Sequence, residues 1–93
     1  MYESKIKSEA MDKLFAAVAR LENEEECYRF FEDLCTINEL QAMAQRYEVA
    51  RMLKKGVAEK TGASSATISR VNRCLLYGAK GYNIAIEREN AEK

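Results

Sequence analysis

The chain has 93 residues, a formal charge of zero, no proline and no histidine, and 47% of its residues are hydrophobic. This length suits one small domain, and the scarcity of proline and glycine favours helices over hairpins. Without histidine, and with only the scattered Cys27, Cys35 and Cys74, the composition argues against a metal site or a histidine-based catalytic centre. No apolar run is long enough to span a membrane, so we expect a cytoplasmic protein with buried free thiols.

The charges are divided unevenly along the chain. Residues 1–39 hold five basic and ten acidic side chains, residues 40–83 hold eight basic and two acidic, and residues 84–93 hold two basic and three acidic. The basic stretch is either an uneven solvated surface or the footprint of a nucleic-acid partner.

Apolar periodicity and capping residues predict three helices in the first half. The first runs from Ser4 to Leu21, the second is capped by Asn23 and continues to about Cys35, and the third opens at Thr36 and ends at Gly56. Thr36 and Glu39 fit a capping box. The apolar stripe predicted for the third helix is Leu40, Met43, Ala44, Tyr47, Ala50 and Leu53. The residues expected in the core or a dimer interface are Phe15, Phe30, Phe31, Leu34, Leu40, Met43 and Tyr47.

The second half is predicted to contain a helix-turn-helix. A short helix at 57–61 precedes Gly62, a longer helix runs from Ser65 to Tyr77, and a last helix covers residues 82–90. Ala58 stands four positions before Gly62, where two helices cross closely. Ile68 and Val71 stand six and nine positions after it, where the second helix must pack back. The glycine suits a turn that needs positive φ.

The other face of the second helix carries the predicted DNA contacts. Arginine can pair with guanine through two hydrogen bonds, hydroxyls can bind phosphates or bases, and alanine can meet a thymine methyl group. Arg70 is the strongest candidate, whereas the serines could be no more than helix caps. The predicted DNA-contacting residues are Lys60, Ser64, Ser65, Ala66, Thr67, Ser69, Arg70 and Arg73.

The run 62–73, GASSATISRVNR, resembles the recognition helix of the Trp-repressor-like family, in particular its YerC/YecD branch. The stretch 39–46 and the segment 77–82 resemble that branch as well. The resemblance covers roughly residues 10–88 and implies an all-helical, intertwined homodimer that binds operator DNA as a repressor-like regulator. Residues 1–93 would then form one domain, with dimerisation helices at about 4–54, the helix-turn-helix at about 54–77 and a C-terminal helix at about 82–90.

The same resemblance implies a possible ligand site and two departures from the family. Arg46 and Arg70 match arginines that enclose a tryptophan corepressor, and Thr36 matches a threonine of that site. Val71 replaces a glycine beside the ligand, so we expect tryptophan not to bind and predict no cofactor. The family also has five or six more residues between Gly56 and the position of Val57, which this protein either lacks or which the sequence omits. Without them, the first motif helix is too short to brace the second well and cannot make its usual phosphate contacts.

The leading hypothesis is therefore a homodimeric transcriptional regulator that binds double-stranded DNA, cytoplasmic and nucleoid-associated when bound. It is not expected to be an enzyme or to contact a membrane or a metal. The alternative is a helical dimer that recruits a protein through the aromatic surface around Phe30 and Phe31 and does not bind DNA.

Overall fold

The computed structural model describes residues 2–92, with the backbone alone at residue 59. The described residues form helices and no strands, which confirms the all-α prediction. The helices are α1 (Glu9–Ala19), α2 (Glu24–Leu34), α3 (Ile37–Lys55), a 3₁₀ helix (Ala58–Thr61), α4 (Ser65–Tyr77) and α5 (Gly81–Ala91). Their contacts divide into two compact units, Met1–Thr36 and Ile37–Lys93. A single domain over residues 1–93 stays a prediction.

Side-chain caps set the helix starts of the first unit. The Ser8 hydroxyl accepts a hydrogen bond from the Met11 amide at 3.1 Å, so α1 begins after Ser8. The predicted start at Ser4 and end at Leu21 were therefore wrong at both ends. Asn23 caps α2 as predicted, with its side-chain oxygen 2.9 Å from the Glu26 amide nitrogen. The Glu26 carboxylate in turn accepts from the Glu22 amide at 2.8 Å, which satisfies a second free donor at this helix start.

The first unit exposes much of its apolar surface. None of residues 2–36 is buried. Phe15 and Leu34 are 53% and 50% exposed, while Phe30 and Phe31 are half-buried and meet edge to face with ring centroids 5.4 Å apart. Phe15 and Leu34 are thus not core residues of the single chain, which leaves the interface part of their prediction open.

The second unit begins with α3, which ends where the sequence predicts. Gly56 adopts φ +76°, and its amide donates to the Leu53 carbonyl at 3.1 Å. The Val57 amide reaches the Met52 carbonyl at 3.0 Å. This pair of bonds is the Schellman arrangement, in which a residue with positive φ satisfies the last helix carbonyls.

The core lies among α3, α4 and α5. Its buried side chains are Val49 and Ala50 of α3, Val71 and Leu75 of α4, and Ile86 of α5. The residues packed around them are Tyr47, Leu53, Ala63, Ile68 and Tyr82.

The apolar stripe predicted for α3 was only partly right. Ala50 is buried, and Tyr47 and Leu53 pack on the core, but Met43 and Ala44 are exposed and Leu40 is half-buried. The prediction also missed Val49, which has no exposed surface. Because only the second half of α3 contributes to the core, one straight stripe along the whole helix does not describe it.

A polar cluster joins α5 to α3. Glu89 accepts from the Tyr47 hydroxyl at 3.2 Å and from Arg51 Nε and Nη2 at 3.1 and 3.0 Å. Arg51 also pairs with Glu48 at 2.9 Å. Burial, followed by the neighbouring Glu89 carboxylate, raises the pKa of Tyr47 above its ordinary value. These contacts fix the last turns of α5 against the middle of α3.

The corner between α4 and α5 is closed by side chains that bind the end of α4. Lys80 has φ +70°, and its ammonium donates to the carbonyls of Leu75 and Leu76 at 3.4 and 3.1 Å. The Asn83 amide nitrogen donates to the Leu75 carbonyl at 3.3 Å. At Gly78 a Cβ atom would lie 2.6 Å from a backbone oxygen of α4, so the corner needs glycine there. The C-terminal end of α4 is thus held at the carbonyls that its own hydrogen bonds leave free.

Candidate nucleic-acid interface

A one-turn helix and a glycine lead into α4. Within the 3₁₀ helix, the Thr61 hydroxyl donates to the Ala58 carbonyl at 2.8 Å and accepts from the Ala63 amide at 3.2 Å. Gly62 adopts φ +76°, the positive φ that the sequence predicts for the turn. Ala58 is 4% exposed, and the 3₁₀ helix packs against α3. The small side chain predicted at this crossing is therefore buried as expected.

Two predicted DNA-contacting hydroxyls are engaged at the start of α4. Ser64 Oγ accepts from the Thr67 amide at 3.2 Å, so Ser64 is the N-cap. Its hydroxyl also donates to Thr67 Oγ1 at 3.0 Å. This pair orders the first turn of α4, and Thr67 is half-buried.

The two faces of α4 differ in the way the sequence predicts. Val71 and Leu75 are 1% and 9% exposed, and Ile68 packs beside them. The opposite face is open to solvent and carries Ser65, Ala66, Ser69, Arg70 and Arg73. A helix that buries one stripe and offers the other to solvent is suited to entering a DNA groove.

The solvent-exposed face of α4 is positively charged. The helix contains no acidic residue, and neither Arg70 nor Arg73 forms an ion pair with another described residue. Lys60, on the 3₁₀ helix, is also exposed. Arg51 and Lys80 differ, because they bind Glu48, Glu89 and helix carbonyls within the unit.

Sequence reasoning missed two further lysines beside this face. Lys54 and Lys55 form the last turn of α3 and are exposed. The sequence suggests for them only the usual preference of cations for a helix C-terminus. Their closeness in the chain to the predicted motif was the signal that could have drawn attention to them.

The possible ligand residues are differently disposed. Arg46 is half-buried and Arg70 is exposed, whereas the Val71 side chain is enclosed in the core and offers no surface to a ligand. Thr36 lies in the other unit.

Other site types find little support in the described part of the chain. No group of three or more His, Cys, Asp or Glu side chains within residues 2–92 is placed to hold a metal ion. No helix among these residues is long and apolar enough to cross a membrane. The cysteines are free thiols as predicted, but Cys27 and Cys74 are exposed, so the expectation that they are buried was wrong.

The turn, the buried stripe and the basic outer face together define a helix-turn-helix unit whose second helix is α4. Comparison with known proteins agrees with this description. The family model for the Trp repressor protein matches residues 9–90. The uncharacterised Bacillus subtilis (strain 168) protein YerC is 53% identical over 93 residues, which cover 95% of this chain and 89% of YerC.

Two solved structures have the same fold. A Staphylococcus aureus protein provisionally described as a Trp repressor gives a TM-score of 0.83 at 47% identity, over 92% of this chain and 91% of that one. A TrpR-like protein of Eubacterium eligens ATCC 27750 gives 0.83 at 52% identity, over 92% and 94%. The chain belongs to the Trp repressor protein family, and this membership indicates a DNA-binding regulator.

The match to YerC also bears on the predicted gap at Gly56 and Val57. It runs over 93 positions but includes only 95% of this 93-residue chain, so about five positions hold no residue of this chain. That number fits the five or six residues by which this chain is shorter than the family pattern.

Proposed function

We propose that this protein is a sequence-specific, repressor-like transcriptional regulator that binds operator DNA as a homodimer. The observation that carries the proposal is the two-sided α4: Val71 and Leu75 are buried, and the residues between them present a basic face to solvent. Recognition helices of this class place their N-terminal residues in the major groove.

The side chains on that face have the chemistry for reading bases. Arg70 can donate two hydrogen bonds to O6 and N7 of a guanine, the commonest specific contact to that base. Ser65 and Ser69 can bind phosphate or base edges, and Ala66 can meet a thymine methyl group. The amides of the first turn of α4 can bind a phosphate, because the helix dipole favours negative charge there.

A second copy of the chain is the partner that best explains the first unit. Two helices with no buried side chain do not form a stable core alone, and Phe15 and Leu34 are half-exposed. A dimer would cover such side chains and would place two copies of α4 on half-sites about 34–36 Å apart.

We propose that this regulator does not use tryptophan as a corepressor. Val71 is 1% exposed and fills the core between α3 and α5, so the position next to the family's ligand has no room for an indole. Titration calorimetry with tryptophan should give no binding heat, and a measurable affinity would refute this part of the proposal.

DNA binding is tested by selecting sites from a randomised duplex library and measuring anisotropy on the selected site. Binding should weaken steeply between about 50 and 200 mM salt, because phosphate contacts release counterions. Arg70→Ala should weaken binding to the selected site by about 1–3 kcal/mol and relax preference at one base pair. Arg88→Ala, an exposed arginine of α5, is the matched control and should bind like the parent.

The oligomeric state is measured by light scattering after size exclusion. A mass of two chains is expected, and replacement of Phe15 or Leu34 by Asp should shift it towards one. A stable dimer that selects no DNA sequence at low salt would reject the regulator and favour the protein-recruiting alternative.

A further inference from the structure

We propose that Lys54 and Lys55 at the C-terminal end of α3, together with Lys60, form a phosphate-binding ridge beside the recognition helix. This inference rests on the proposed DNA binding and assigns α3 a part in the same interface. The three lysines hold the DNA backbone, whereas Arg70 reads bases.

The first support is the difference in ion pairing between the two halves of the chain. In the first unit, Lys7, Lys13 and Arg29 all pair with carboxylates of their own or a neighbouring turn. Lys54, Lys55 and Lys60 are exposed and form no ion pair with any described residue. Their charge is therefore available to an external anion.

The second support is the path of the chain between α3 and α4. The Schellman turn at Gly56 leads directly into the buried Ala58, so the end of α3 and the 3₁₀ helix are held together. Lys55 and Lys60 are separated by only four residues in this turn, and α4 begins five residues after Lys60. All three lysines thus lie at the edge from which α4 emerges.

The third support is the shortness of the helix before the turn. A 3₁₀ helix of four residues lacks the aligned amides and dipole with which a longer helix binds a phosphate. Backbone contacts on this side of α4 must come from side chains. Lysine is suited to this task, because its ammonium acts as a mobile point charge on a flexible stem.

The geometry assigns phosphate and not base contacts to these residues. The exposed face of α4 fills the groove in the proposed complex, and the lysines flank it on a separate element. Contacts to phosphate carry no sequence information but add to the salt dependence of binding.

The test is the salt dependence of binding for Lys54→Ala/Lys55→Ala on the selected site. For each phosphate that the variant no longer binds, the slope of log affinity against log salt should fall by about 0.9. The weakening caused by a fourfold rise in salt should therefore shrink by about 3.5-fold per phosphate. The order of preference among DNA sites should stay unchanged. Lys54→Arg/Lys55→Arg, which keeps the charge, should retain the parent slope.

The matched control is Lys5→Ala/Lys13→Ala, which removes two exposed charges from the first unit. If this variant lowers the slope as much as Lys54→Ala/Lys55→Ala does, net charge and not a local ridge is responsible, and the inference is wrong. Parent binding with an unchanged slope in Lys54→Ala/Lys55→Ala overturns the ridge alone. Absence of parent binding overturns the proposed function together with it.

Discussion

Replacement of Val71 by alanine tests the packing that orients the recognition helix. Val71 is 1% exposed and belongs to the core formed by α3, α4 and α5. Removing two methyl groups costs about 0.8 kcal/mol each in reduced burial, and an unrelaxed cavity adds roughly 1 kcal/mol. Alanine returns about 0.5 kcal/mol as the better helix former. We expect Val71→Ala to lower the free energy of unfolding by about 2 kcal/mol.

Urea unfolding followed by far-ultraviolet circular dichroism measures this destabilisation. The protein concentration must be fixed, because the stability of a dimer depends on it. For a slope of about 2 kcal/mol per molar urea, the midpoint should fall by about 1 M with the slope unchanged. The neighbouring Arg70→Ala, on the exposed face, should change stability by less than about 0.5 kcal/mol. Equal stability of the two variants would refute the assignment of opposite faces.

Three further changes probe the ends and joints of the helices. Ser64→Ala removes the N-cap of α4 and should cost about 1 kcal/mol in urea unfolding, whereas Ser64→Asn should cost little. Gly78→Ala brings a Cβ to 2.6 Å from backbone and should cost more than about 1 kcal/mol, but Gly81→Ala, with open space around it, should be nearly neutral. The folded state raises the pKa of Tyr47, so it holds this proton more tightly than the unfolded chain does. Its contribution to stability is present below about pH 10 and is lost as the pH rises further. In Tyr47→Phe, urea midpoints should fall less between about pH 9 and 11, and an equally steep fall would contradict this assignment.

Much of the secondary structure could be predicted because local signals fix it. Asn23, Gly56 and Ser64 each bind backbone groups that a helix end leaves free, and each marks a boundary in the structure. The start of α1 was wrong because both Ser4 and Ser8 can cap a helix, and only tertiary geometry decides between them. Val49 escaped prediction because α3 joins the core along one half only, which a periodic pattern cannot reveal.

The candidate site was predictable as a face but not as a set of free side chains. The spacing of Ile68, Val71 and Leu75 identifies the buried stripe of α4, and the exposed residues follow from it. The pattern cannot show that the hydroxyls of Ser64 and Thr67 bind each other. Nor can it separate Arg51, which is held by two carboxylates, from lysines that remain unpaired a few residues later.

The short first helix of the motif raises the question of what holds α4 in position. The sequence suggests that this helix is too short to brace its partner, but the structure transfers the bracing to other elements. Val71 and Leu75 pack on α3 and α5, and Lys80 and Asn83 bind the carbonyls at the end of α4. Because these contacts involve the buried stripe and the C-terminal end of α4, they leave its outer face and first turn free. A loss of residues before the turn therefore weakens phosphate binding on that side more than it weakens the orientation of the recognition helix.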